Sequence, residues 1–200
     1  MPRTATDTRH RIEHAAYTLF RRRGYTRVSM DDIAKLGKVT KRTLYYHFVS
    51  KDALLATILE AQHQLALAAF RTFGDALHGS PEKIIDRMFE DLARWAKTPR
   101  WEGSGFTRLA VELADLPGHP ARTIARRHKT LLEEHLAKLF AKAGVIAPRQ
   151  TAREVWLLSE GAISLILVNG DHSYAAAAAE AARTLLRLRS RRGRAAASLR

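Results

Sequence analysis

Apolar positions recur with the period of a helix along nearly the whole chain, and the alternation that marks a strand does not appear. From Arg9 to Arg23, the residues Ile12, Ala15, Ala16, Leu19 and Phe20 share one face, basic residues fill the others, and Gly24 stops the segment. Ser29, with Asp32 three residues on, has the form of a capping box and opens a short helix that turns near Gly37. Thr40 caps a second short helix. Its apolar face, Val39, Leu44 and Phe48, is expected to pack against Ile12, Leu19, Ile33 and Leu36. Ser50 begins a long helix to about Phe73. Ser80-Pro81 opens another to about Lys97, with Pro81 where a missing N–H costs nothing. After a break from Pro99 to Gly105, helices are predicted from Phe106 to Leu116, Pro120 to Ala143, Pro148 to Val168 and Tyr174 to about Leu188. Residues 1–8 read as a loose arm, and Arg189 to Arg200 as a disordered tail.

The pattern predicts an all-α fold of about nine helices. It divides into a three-helix head at 1–49, a larger helical domain at 50–190 and a basic tail at 191–200.

Charge sharpens this picture. The formal net charge is +14, which favours a polyanionic partner. Residues 1–50 hold eleven Lys and Arg against four acids, and Arg183 to Arg200 holds seven arginines and no acid. There is no cysteine, which excludes disulfides, cysteine nucleophiles and thiolate metal sites. No apolar run follows the first arginines, and the most apolar stretch, Val155 to Val168, is too short to span a bilayer. A cytoplasmic protein with no membrane partner is expected. No nucleophile elbow or other catalytic signature occurs, so no enzyme and no cofactor are expected.

Two short helices joined by a tight turn, the second basic and aromatic on its outer face, describe a helix-turn-helix whose second helix enters the DNA major groove. Thr40 can bond a phosphate while capping, aided by the positive end of the helix. Lys41 and Arg42 have the reach for guanine O6 and N7, and Thr43 for a thymine methyl or a phosphate. Tyr45, Tyr46 and His47 offer donors to the backbone. Lys51, Thr26 and Ser29 are placed for flanking phosphates, and Lys38 for close approach to DNA. The Arg21 to Arg23 run reads as a solvated helix end, and the C-terminal arginines as a solubilising tail.

The segment from Arg9 to about Leu59 resembles the DNA-binding domain of the TetR family of bacterial transcriptional regulators. The residues that carry the resemblance are Ala15-Ala16, Leu19-Phe20, Gly24-Tyr25, Ser29-Met30-Asp31-Asp32-Ile33-Ala34, Val39-Thr40, Leu44-Tyr45-Tyr46-His47-Phe48 and Ser50-Lys51-Asp52-Ala53-Leu54-Leu55. The family's turn has Ala-Gly before the valine, whereas this chain has Gly37-Lys38. Either Lys38 takes the left-handed conformation, at about 1 kcal/mol, or the turn shifts by one residue. The resemblance implies a ligand-responsive repressor that binds a palindromic operator as a homodimer and is released by a small apolar or aromatic effector. It also implies that the last two helices pack against their copies, with Gly161, Ala162, Ala175 to Ala179, Ala181 and Ala182 permitting close approach. The alternative is a ligand-independent architectural DNA-binding protein, which a filled core in place of a pocket would favour.

Trp95, Phe106, Leu109, Glu112, Trp156 and Glu160 put aromatic bulk and carboxylates on helices expected to converge, and are the candidate effector-binding set, although Glu112 and Glu160 read equally well as ion-pair partners or residues of an exposed edge. Aromatic or amphipathic effectors are expected, with cationic ones suggested by the carboxylates. His119, His128 and His135 invite a metal reading, but His128 and His135 lie two turns apart on one face, too far to share an ion, so no metal site is expected.

Overall fold

The computed structural model describes residues 5–76 and 80–197. Its helices are α1 (Ala5–Arg23), α2 (Met30–Gly37), α3 (Lys41–His47), α4 (Lys51–Ala76), α5 (Pro81–Ala96), α6 (Gly105–Glu112), α7 (Pro120–Lys142), α8 (Pro148–Asn169) and α9 (Ser173–Ala197). No strand occurs among the described residues.

Three boundaries differ from the sequence expectation by about four residues or more. Helix α1 begins at Ala5, within the expected arm, with Asp7 in its first turn complementing the helix dipole. Helix α9 continues to Ala197, through most of the expected tail, because alanine and arginine are both strong helix formers; residues 198–200 lie outside the described ones. Helix α6 stops at Glu112, before Leu116, whose position ahead of Pro117 disfavours the helical conformation.

The chain packs as two compact units, Met1–Ala66 with Ser104–His128, and Leu67–Gly103 with Lys129–Arg200. The core of the first unit joins Ile12, Leu19 and Phe20 of α1, Ile33 of α2, Leu44 of α3, Leu54, Leu55 and Ile58 of α4, and Phe106 of α6. The helix-turn-helix therefore shares its core with α6 and the start of α7 instead of closing on itself. Phe48 and Val39 join that core as expected, but Leu36 is 49% exposed. The buried positions of α2 are Ile33, Ala34 and Gly37, so its inner face is centred about 100° from Leu36.

The core of the second unit is built from Ile84, Ile85, Phe89 and Leu92 of α5, Leu136 and Phe140 of α7, Val155 and Ile166 of α8, and Ala182 and Leu186 of α9. By length and composition alone, α4 is the one described helix long and apolar enough to cross a membrane, over Lys51–Phe70. Its Leu54, Leu55, Ile58 and Leu59 are instead buried in the protein.

Candidate nucleic-acid interface

Local capping sets the helix-turn-helix. The Ser29 hydroxyl accepts from the Asp32 amide at 3.1 Å, and the Asp32 carboxylate accepts from the Ser29 amide at 2.9 Å and its hydroxyl at 2.6 Å. Those bonds, led by the Ser29 hydroxyl, hold the Asp32 carboxyl below its ordinary pKa. Thr40 accepts from the Thr43 amide at 3.1 Å and caps α3. Between the helices, Lys38 takes the left-handed conformation, φ 51° and ψ 47°. The Val39 amide donates to Ala34 O at 3.0 Å and the Lys38 amide to Lys35 O at 3.2 Å, which is a Schellman turn with lysine in the glycine position. Gly37 packs against α1, where a Cβ would lie at an ordinary contact distance of 3.6 Å from that of Ala15.

Two arginines of α1 then secure the motif. Arg11 donates to the carbonyls of Gly37 and Lys38, at 2.5 and 2.9 Å, satisfying the C-terminal end of α2. Arg9 donates to His47 O at the end of α3, at 3.4 Å, and lies over the Phe48 ring at 4.3 Å.

With Leu44 and Phe48 turned inward, α3 presents Lys41, Arg42, Tyr45 and Tyr46 to solvent, Tyr46 at 82% exposure and Tyr45 at 42%. Thr43 and His47 are half-exposed at its edges. Lys41 is held by Asp31 of α2, Nζ to Oδ1 at 2.9 Å, and that hydrogen bond and charge raise its pKa. None of the described ion pairs or hydrogen bonds engages Arg42.

Three assigned positions have other work. Lys51 turns inward, donating to Tyr25 O at 3.1 Å and Val28 O at 2.9 Å over the Tyr25 ring, because those carbonyls offer charge-assisted acceptors. Thr26 donates its hydroxyl and its amide to Glu112 Oε1, at 2.7 and 2.8 Å. Glu112 thus faces the loop between α1 and α2 and not a ligand; burial works against its charge, but the bonds from Thr26 and Tyr25 win and lower its pKa.

The candidate effector set is divided. Phe106, Leu109 and Glu112 belong to the first unit, Trp95, Trp156 and Glu160 to the second. Phe106 is a core residue, and Leu109, partly buried, packs against that core. In the second unit, Lys129 pairs with Glu160 and lies 5.7 Å from the Trp156 ring centre, and Trp95 meets Trp101 edge-on at 5.4 Å. Both carboxylates have partners within the protein, Glu160 in Lys129 and Glu112 in the amides of Tyr25 and Thr26. The histidines are also accounted for. His119 Nδ1 accepts from the Ala121 amide, His135 Nδ1 bonds Leu131 O, and His128 pairs with His63.

Sequence reasoning did not anticipate Arg9, Arg11, Asp31 or His63. Only Arg9 left a local trace, its four-residue spacing from Glu13, with which it forms an ion pair.

A capped helix pair with one basic, aromatic helix outward, fixed by arginines from the preceding helix, defines a helix-turn-helix DNA-binding regulator. The chain matches the model of the tetR family of bacterial regulatory proteins over residues 12–58, the segment that holds the helix-turn-helix. It is 32% identical over 136 residues to the HTH-type transcriptional regulator UidR of Escherichia coli K12, a match covering 66% of this chain and 65% of that protein's length. A regulator of known structure from Streptomyces avermitilis is 27% identical, with a TM-score of 0.73, covering 88% of this chain and 98% of that one. A TetR-family regulator from Streptomyces coelicolor shares the fold, with a TM-score of 0.84 at 21% identity over 92% of this chain and 97% of that one.

Proposed function

We propose that the protein is a cytoplasmic, ligand-responsive repressor that binds a palindromic operator as a homodimer, one α3 per half-site. In this reading residues 1–49 read DNA, 50–190 bind the effector and dimerise, and Arg42, Lys41, Lys38, Thr40, Thr43, Tyr45, Tyr46 and His47 meet bases and phosphates. The observation that carries it is the outward face of α3, where Arg42 is exposed and unengaged beside the helix N-terminus.

Dimerisation is supported by two outward stripes. On α8, Leu157, Gly161, Leu165 and Val168 are exposed at heptad-like spacing. On α9, Ala177, Thr184 and Leu188 are exposed with Ala181 half-exposed between them. The alanines at 162, 175, 178, 179 and 182 instead pack into their own protomer's core, so only part of the small-residue set is available to a partner. A small apolar or aromatic effector would meet Trp156, Trp95 and the Lys129 and Glu160 pair in the second unit, and lower DNA affinity by the factor that DNA lowers its own binding.

Selection of duplexes from a random-sequence pool tests the reading, with the full chain as bait. A two-fold symmetric consensus is expected. Arg42→Ala should weaken binding to it by ~1–3 kcal/mol and relax preference at one base pair per half-site. Gly161→Arg should yield monomers. A consensus without symmetry, or an Arg42→Ala protein that binds like wild type, overturns it.

A further inference from the structure

We propose that Glu112 is a positioning residue for DNA recognition, fixing the angle of the helix-turn-helix so that the two heads of a dimer accept one half-site spacing. The inference rests on the dimeric-operator reading above.

Glu112 is the last residue of α6, at the negative end of the helix, where a carboxylate is electrostatically disfavoured. Its partners lie outside that helix. Oε2 accepts from the Tyr25 amide at 3.0 Å, and Oε1 from the Thr26 amide at 2.8 Å and hydroxyl at 2.7 Å. Two consecutive backbone amides thus converge on one carboxylate, a directional grip that a single point contact lacks. Gly24 makes room for it. Its φ is +83°, and a Cβ there would sit 2.9 Å from Glu112 Oε1. Nearby, Arg108 of α6 donates to Arg21 O at the end of α1, at 3.2 Å.

The gripped loop leads straight into Ser29, the cap of α2, so its placement sets where α2 and α3 begin. Helix α4 holds the same loop from its own side. Lys51 bonds the carbonyls of Tyr25 and Val28, and the Tyr25 hydroxyl donates to Asp52. One tether would act as a hinge. The second, from α6, removes the remaining rotation. Half-sites of a helix-turn-helix dimer lie about one turn apart, so one added base pair displaces a half-site by about 3.4 Å and rotates it. With its loop gripped from both α4 and α6 the head resists that displacement, and release of the α6 grip leaves its angle set by α4 and the shared core alone.

The test uses Glu112→Gln. Glutamine offers one oxygen to two amides and turns its own NH2 toward the other donor. Glu112→Asp keeps the charge but withdraws it from the amides. Each full-length variant is titrated with the selected operator, with operators lengthened or shortened by one base pair, and with a single half-site. Wild type is expected to discriminate the altered spacings by about tenfold or more and the variants by no more than about threefold, with half-site affinity unchanged. Faster hydrogen exchange at the Tyr25 and Thr26 amides should accompany the change. Undiminished spacing discrimination in both variants overturns the proposal. So does failure of both to fold, since Glu112 would then support the fold and not the spacing. If wild type itself binds all spacings equally, the dimeric-operator reading fails instead.

Discussion

The two packing units use their charged residues differently. In the first, besides ion pairs such as Lys41 with Asp31, charged side chains reach distant backbone: Arg11 bonds Gly37 O, Arg9 bonds His47 O, Lys51 bonds Tyr25 O, and Glu112 receives the amides of Tyr25 and Thr26. In the second, charged side chains meet one another: Arg183 with Asp86 and Glu180, Arg189 with Glu154, Arg153 with Glu133. Such ion pairs, part-exposed or at the surface, contribute less than the apolar packing around Phe140 and Leu136 that forms the core of the second unit. Directional bonds to backbone fix orientation, which a DNA reader needs. Non-directional packing tolerates many side-chain sets, so it constrains the sequence of the second unit less. The family model accordingly matches 12–58, within the first unit.

The largest expected effect tests that contrast directly. Phe140 is fully buried, and Phe140→Ala should cost about 3–5 kcal/mol. Arg11→Met, which removes two charged bonds at a partly exposed site, should cost about 1–3 kcal/mol but weaken DNA binding more than Phe140→Ala does. Urea unfolding gives the first quantity and operator titration the second. If Arg11→Met leaves DNA binding intact, the directional tethers do not set the reading head.

Much of the head was legible in the sequence because its signals are local. Ser29 with Asp32, and Thr40 with Thr43, are three residues apart and cap their own helices. What the sequence did not reveal is non-local. Nothing near Glu112 announces a partner 86 or 87 residues away, so a carboxylate among apolar residues read equally well as a ligand group. The alanines of α9 posed a second ambiguity. Small residues permit close approach to any helix, and periodicity alone does not say whether that helix lies in the same protomer or in a copy. The structure assigns Ala178 and Ala182 to their own core and leaves Ala177 outward.

One buried polar pair in the first unit departs from its pattern of bonds to backbone. His63 of α4 and His128 of α7 meet Nδ1 to Nδ1 at 3.0 Å, and His128 stacks on Phe106 of α6 at 3.8 Å. One N–H serves both nitrogens, so a second proton breaks the bond. Burial first, then the positive charge of Arg127, hold the His63 pKa below its ordinary 6.5, against the opposing pull of Glu60. The unfolded chain therefore binds a proton more readily than the folded one. The stabilising contribution is present above pH 6.5 and is lost as pH falls below it toward the folded value. The thermal midpoint should drop on acidification through that window, and His63→Asn should flatten the drop. An unchanged pH profile in the variant removes the pair from the unit's acid response.

The smallest expected effect concerns the turn itself. Lys38 holds the left-handed conformation in a Schellman turn, where a Cβ costs about 1 kcal/mol relative to glycine. Gly37, one residue earlier, is helical, and a methyl there would meet Ala15 only at an ordinary 3.6 Å. Exchanging the order, Gly37→Ala with Lys38→Gly, should therefore raise stability by about 1–2 kcal/mol. It also removes a cation beside the recognition helix. If that cation meets a phosphate, the slope of log affinity against log salt should fall by about one per head, and operator binding should weaken as stability rises. Lys38→Asn separates the two terms, since asparagine tolerates the left-handed conformation while lacking the charge. Stability gained at the expense of affinity means that the strained lysine is retained for DNA. Stability gained with affinity unchanged would show that the lysine only occupies the turn, and that the head reads DNA through α3 alone.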